Sequence, residues 1–153
     1  MTDNSKHKEN ENGKEEIIIE RDWFLQTLVN VANGVGSEFV GITLLTHGFL
    51  VSGQLVSAPI YFNGFAEELA NSFKKSDSDD AKTIKESIIG LANKVYNNSD
   101  TNDSIPVVAY IHIKGAKFFH PNGSPIPSNQ GVWWRGRLSE ISGFSLGSLE
   151  IAK

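Results

Sequence analysis

Apolar side chains recur at helical spacing in three stretches of the chain. The first stretch follows Asp22, a good helix N-cap, and Gly34 marks its expected end. A second helix is predicted over residues 63–75, with Asn63 as its N-cap, and a third follows the polar turn at residues 76–80. The apolar positions behind these predictions are Phe24, Leu25, Leu28, Val31 and Ala32, then Phe65, Leu69 and Phe73, then Ile84, Ile88, Leu91 and Val95.

Between the first two helices the apolar period changes to two, which is typical of β-strands. Residues 39–58 therefore predict a β-hairpin that turns at His47 and Gly48. Gly53 is expected to allow a bend or bulge in the second strand, and Pro59 is expected to close the hairpin.

The C-terminal part of the chain also has the composition of strands. Residues 107–119 are rich in β-branched and aromatic residues, and the apolar parity changes at Gly115, which predicts a bulge. Two further strands, residues 132–141 and 144–151, are expected to form a last hairpin that turns beside Gly143.

The predicted element order is α-β-β-α-α-β-β-β. Because strand–helix–strand alternation does not repeat, this order predicts an α+β fold. We expect a mostly antiparallel, strongly bent sheet or a small, partly open barrel of about five strands, with three helices. The segments "GFLVSGQLVS" and "GVWWRGRLSE" share a mid-strand glycine, which favours bending. Residues 17–153 are expected to form one domain, and the polar residues 1–16 are expected to be a disordered tail.

Composition and charge indicate the size of the domain, the expected cellular compartment and the kind of partner. The chain has 153 residues, which suits one domain, and it contains no cysteine. It has no apolar run of the roughly 18–20 residues that a membrane helix needs, and its polar N-terminus does not resemble a signal peptide. We therefore expect a cytoplasmic protein that does not enter a membrane. The net charge is −4, yet residues 105–153 carry five bases and two acids, which points weakly to an anionic partner.

Catalytic and metal-binding patterns give no positive signal. The sequence has no nucleophile elbow, no phosphate-binding glycine loop and no histidine spacing of a metal site. The paired acids Glu67 and Glu68 are adjacent on a helix, so they do not face each other. His47 is interpreted as a turn residue and His112 as an outward polar residue of a strand. We therefore expect no enzyme activity, no cofactor and no metal.

The segment "GVWWRGRL" combines aromatic and basic residues. Strand alternation predicts that Trp134 and Leu138 point to one face, and Trp133, Arg135 and Arg137 to the other. The neighbouring strand would add Lys117, Phe118 and Phe119. Three interpretations stay open: ordinary packing with arginine stems over a tryptophan, a protein-binding surface, or a platform for single-stranded nucleic acid.

Long ordered segments resemble a known family. The segments "GITLLTHGFLVSGQLVSAPIYFNGFAEEL", "YIHIKGAKFF" and "PIPSNQGVWWRGRLSEISGFSLGSL" are similar to the gas vesicle accessory protein U family of bacilli, over about residues 20–149. The resemblance implies a non-enzymatic cytoplasmic protein that is accessory to gas vesicles, which are air-filled protein shells, and that is linked to their clustering. The shared positions include Pro125, Pro127, Gly131, Trp134, Arg135, Gly136, Gly143, Phe144 and Gly147.

Residues and resemblance together favour a self-associating module that binds gas vesicle shell protein. The expected partner-binding residues are Trp133, Arg135, Arg137, Lys117 and Phe119, with the arginines pairing with carboxylates. The bent glycine strands also resemble, more faintly, those of Sm-like RNA-binding barrels. An Sm-like RNA-binding protein is therefore the alternative, although the acidic net charge makes nucleic acid the weaker choice of partner.

Overall fold

The computed structural model describes residues 6–9, 15–18, 21–73, 78–96, 108–120, 125–127 and 130–149. The elements in chain order are β1 (Lys6–Glu9), β2 (Glu15–Ile18), α1 (Trp23–Val35), β3 (Glu38–Thr46), β4 (Phe49–Val56), α2 (Ala58–Phe73), α3 (Ser78–Tyr96), β5 (Tyr110–Phe119), β6 (Val132–Arg137), a 3₁₀ turn (Leu138–Glu140) and β7 (Gly143–Leu146).

Strands β3 to β7 form one antiparallel sheet in the order β6-β5-β4-β3-β7. This sheet and the three helices confirm the predicted α+β class and the predicted element order. The two outer strands of the sheet, β6 and β7, do not pair with each other, so the sheet is not closed into a barrel. The alternative of an Sm-like RNA-binding protein stays a prediction.

The bulge predicted at Gly115 is confirmed, whereas Gly53 lies in β4 opposite that bulge and does not form one of its own. From Ser52 to Gln54 β4 advances two residues where β5 advances three, from Lys117 to Lys114, so the extra residue belongs to β5. The pairing of β5 with β6 shifts between Ile113 and Ala116, where Gly115 has φ 62°. A positive φ of this kind favours glycine because that residue has no Cβ to clash.

The predicted last hairpin is wrong. β6 pairs with β5 at one edge of the sheet, whereas β7 pairs with β3 at the other edge. The 3₁₀ turn that follows Arg137 ends β6 early and redirects the chain, and the backbone N–H of Ser142 then donates to the carbonyl of Leu45. Residues 150 and 151 of the predicted second strand lie outside the described residues.

Helix α1 begins as predicted and ends slightly later. The Asp22 carboxylate accepts hydrogen bonds from the backbone N–H groups of Phe24 and Leu25, at 2.8 and 3.1 Å. The helix passes through Gly34 and stops at Gly36, which has the left-handed φ of 68°. Gly36 therefore supplies the C-cap that the sequence analysis placed at Gly34.

Helix α2 begins five residues earlier than predicted. Pro59 does not close the hairpin but lies in the first turn of α2. The backbone N–H that proline lacks has no hydrogen-bond partner within a helix at this position, so nothing is lost. Ser57 caps the helix through its side-chain oxygen, and the Asn33 side chain accepts a hydrogen bond from the N–H of Ala58. Asn63, the expected N-cap, lies inside the helix.

The sheet has different layers on its two faces. One face packs with α1 into the main core, formed by Leu25, Val29, Ala32, Ile42, Leu44, Val51, Leu55, Ile111, Ile113, Ala116 and Leu138. On the other face α2 packs against β5 and β6, and α3 packs on α2. Since Ile111 and Ile113 point into the main core, alternation directs His112 toward α2.

The N-terminal segment contains a separate pair of strands. β1 pairs with β2 in antiparallel fashion, from Lys6 opposite Ile18 to Glu9 opposite Glu15. The boundary between a disordered tail and a domain starting at residue 17 stays a prediction. None of the helices within the described ranges is long and apolar enough to cross a membrane.

Candidate functional site

The two tryptophans of edge strand β6 lie on opposite faces of the sheet, as strand alternation predicts. Trp134 packs against the main core, and Leu138, just beyond the strand, is buried there. Trp133 instead contacts α2, with its ring centroid 6.0 Å from that of Tyr61 in an edge-on arrangement. Trp133 is thus half-buried between the sheet and a helix.

Gly64 makes this contact possible. A Cβ atom at Gly64 would lie 2.0 Å from Cζ2 of Trp133, so any other residue would push the indole ring away. Gly64 is therefore required by the close approach of α2 to the ring, despite the low helix propensity of glycine.

Two helical glycines, Gly64 in α2 and Gly90 in α3, make a matched test of this contact. At Gly90 in α3 no atom of a described residue lies within 4 Å of an added Cβ, so Gly90→Ala should raise the free energy of unfolding by up to about 1 kcal/mol. Gly64→Ala should instead lower it by about 1–2 kcal/mol because the Trp133 ring is displaced. Urea denaturation measures both changes, and a stabilised Gly64→Ala variant would show that Trp133 does not pack on α2.

Arg135 lies on the same face of β6 as Trp133. Its guanidinium carbon is 3.4 Å from the ring centroid of Tyr110 and 6.0 Å from that of Phe62. Among the described residues no carboxylate pairs with Arg135. The guanidinium group is thus held in place by aromatic rings, and its charge is free to meet an anion.

The interpretation of His112 as an outward polar residue is wrong. His112 is fully buried, and its ring lies 4.8 Å from that of Tyr61, 5.7 Å from that of Phe62 and 6.1 Å from that of Tyr96. Neither ring nitrogen has a hydrogen-bond partner among the described residues. Burial, and secondarily the charge of Arg135, lower the pKa of His112 to about 3, so the imidazole is neutral.

A groove of about 340 Å³ lies beside these rings, between α2, α3 and β6. Its lining consists of Tyr61, Phe62, Phe65, Ile88, Leu91, Ala92, Val95, Tyr96 and Arg135. Leu91 and Val95 expose 64% and 72% of their surface, which leaves apolar area open to solvent. Tyr61, Phe62 and Tyr96 were not among the residues predicted for the site, although the segment "IYFNGF" contains three aromatic residues.

The other predicted site residues lie away from this groove. Lys117 and Phe119 are half-buried on β5 beyond the bulge, opposite Ser52 and Leu50 of β4. Arg137 borders a second cavity of about 280 Å³ near the β3–β4 turn. His47 lies in that turn, as predicted, and its Nε2 is 3.0 Å from the Glu140 carboxylate.

Comparisons with known proteins identify the family. No curated protein and no solved structure matches the chain. One family model, described as "Gas vesicle protein GvpU-like", matches residues 22–149, from the N-cap of α1 to just beyond β7. Since this match spans most of the chain and every strand of the five-stranded sheet, the chain belongs to the gas vesicle protein GvpU-like family.

Proposed function

We propose that this gas vesicle accessory protein binds gas vesicle shell protein and self-associates, so that several copies bridge neighbouring vesicles. It would act in the cytoplasm without catalysing a reaction. The family supplies the accessory role. Bridging follows from multivalency: an oligomer with several weak shell sites holds two vesicles far more strongly than one copy does.

The observation that carries the proposed binding site is the unpaired charge on β6. Arg135 and Arg137 are exposed, and neither pairs with a carboxylate among the described residues. Lys82, Lys85 and Lys114, by contrast, each pair with a glutamate of the same chain. The two arginines are thus available to acidic groups of a partner, with Trp133, Lys117 and Phe119 as further contacts.

The open sheet supports self-association. Among the described strands, β6 is paired with β5 alone and β7 with β3 alone, so each has an outer side whose backbone hydrogen-bonding groups are not used by another described strand. Exposed strand edges of this kind are natural sites for pairing with another chain.

Co-sedimentation with intact gas vesicles tests the binding site. The double variant Arg135→Gln, Arg137→Gln should bind at least about tenfold more weakly, because two charge-assisted hydrogen bonds to the shell are lost. The matched control is Lys82→Gln, Lys114→Gln, which removes two cations that already have partners within the chain. That control should sediment with vesicles like the unmodified protein.

Three results would count against the proposal. If the unmodified protein does not sediment with vesicles, shell binding is wrong. If light scattering gives the mass of a monomer at concentrations that cluster vesicles, bridging through self-association is wrong. Equal losses in the arginine and lysine variants would show that net charge matters and that the site on β6 does not.

A further inference from the structure

The groove between α2, α3 and β6 has the chemistry of a site for an apolar anion. Of the described residues that line it, eight are aromatic or aliphatic, and the ninth, Arg135, carries a charge. The guanidinium group is stacked on Tyr110 and has no carboxylate partner among the described residues. Such a group at the rim of an apolar groove favours a carboxylate and disfavours a cation.

In the part of the chain that the structure describes, Tyr61 and His112 on the aromatic floor beneath the groove carry no charge that opposes Arg135. Burial raises the pKa of Tyr61 and lowers the pKa of His112 to about 3, so both side chains are neutral at physiological pH. Arg135 therefore sets the sign of the local potential. An apolar molecule with one negative group can cover Leu91 and Val95 and place that group against the guanidinium.

The size of the groove favours a small ligand over a protein segment. Its volume of about 340 Å³ lies within the range of about 300–1,000 Å³ for small-molecule sites. A stable protein interface, in contrast, buries on the order of 1,200–2,000 Å² in total. That is far more than a groove with three exposed apolar side chains, Phe65, Leu91 and Val95, provides. We propose that this groove binds a small aliphatic monocarboxylate, with Arg135 at its carboxylate and Leu91 and Val95 along its chain.

Isothermal titration calorimetry with octanoate tests the site on the full chain in the absence of vesicles. We expect saturable binding of octanoate. Hexanoate should bind about 15-fold more weakly, since each buried methylene contributes about fourfold in affinity. Octylammonium and acetate should not bind measurably, because one has the wrong charge and the other has no chain.

Two pairs of variants locate the binding. Arg135→Gln should weaken octanoate binding at least about tenfold, whereas Lys114→Gln, on neighbouring β5, should leave it unchanged. Val95→Ser should weaken it severalfold, whereas Val35→Ser removes a comparably exposed valine at the end of α1 and should have no effect.

Each remaining outcome would overturn the proposal. Absence of octanoate binding at millimolar concentration excludes the ligand class, and equal binding of octylammonium excludes the role of Arg135. Octanoate binding that Arg135→Gln and Val95→Ser leave intact places the ligand elsewhere. Because no vesicle enters the measurement, failure here leaves the proposed shell binding untouched, and failure of shell binding leaves this site untouched.

Discussion

Replacing Gly53 by alanine is expected to lower the free energy of unfolding by about 3 kcal/mol. An added Cβ would lie 2.6 Å from Cγ2 of Ile113 and 2.8 Å from the carbonyl oxygen of Lys114. One of these atoms belongs to the backbone of β5, so the strands themselves must separate to relieve the clash. Overpacking of a buried position costs about 1–3 kcal/mol, and the position in the middle of the sheet favours the upper end.

Gly143→Ala is the matched control for this prediction. Gly143 also lies in a strand, but nothing within the described ranges comes within 4 Å of an added Cβ, so its replacement should change stability by less than about 0.5 kcal/mol. Urea denaturation followed by circular dichroism measures both variants. If Gly53→Ala is as stable as Gly143→Ala, the β4–β5 bulge does not bring the strands together at Gly53.

Gly53 also shows which parts of the fold the sequence can predict. A change of apolar parity at a glycine signals a bulge from local pattern alone, and the bulge at Gly115 is present, with Gly53 of β4 opposite it. The Asp22 cap is local in the same sense. These features depend on neighbours a few residues away, which is why the pattern was sufficient.

The features that the sequence predicted wrongly depend on distant partners. Adjacent strands favour a hairpin, but β7 pairs with β3, about 100 residues earlier, and the 3₁₀ turn at Leu138–Glu140 interrupts the predicted hairpin. From its neighbours in the sequence, Pro59 is expected to end the β-hairpin. The side chains of Ser57 and Asn33 instead cap the N-terminus of α2, and Pro59 lies in the first turn of that helix. Secondary-structure propensity depends on nearby residues and does not reflect contacts between residues that are far apart in the chain.

In the candidate site, too, the features that depend on local sequence were predicted and those that depend on distant residues were not. Alternation correctly separated Trp133 and Arg135 from Trp134, because the face of a strand residue is a local property. The groove needs Phe62 from α2 and Tyr96 from α3 as well, and no spacing in the sequence links these residues to β6. His112 combines both cases: its face follows from alternation, but its burial follows from the helix that covers that face.

This buried histidine makes the stability of the protein depend on pH. The pKa of His112 is about 3 in the folded protein and near 6.5 in an unfolded chain. Above about pH 6.5 both states hold the imidazole neutral, and the full stability is present. As the pH falls below 6.5, His112 binds a proton in the unfolded state but stays neutral in the folded state. The free energy of unfolding therefore decreases until the pH reaches about 3.

We expect the free energy of unfolding to include a loss of about 2 kcal/mol between pH 7 and pH 5 that belongs to His112. His112→Leu removes this loss, so the difference between the unmodified protein and the variant isolates it from the titration of carboxylates. His120→Leu is the control, since His120 is exposed at the end of β5 and its replacement should keep the original pH slope. Urea denaturation at pH 7, 6 and 5 gives the three slopes.

The same variant tests why the imidazole is there. Its two ring nitrogens have no partner among the described residues, and an unsatisfied buried polar group costs about 1–3 kcal/mol. His112→Leu should therefore be at least as stable as the unmodified protein at pH 7, and clearly more stable at pH 5. If the variant is less stable at pH 7 and shows an unchanged pH slope, the imidazole is hydrated or hydrogen-bonded in solution, and the floor of the groove is not the dry aromatic cluster described above.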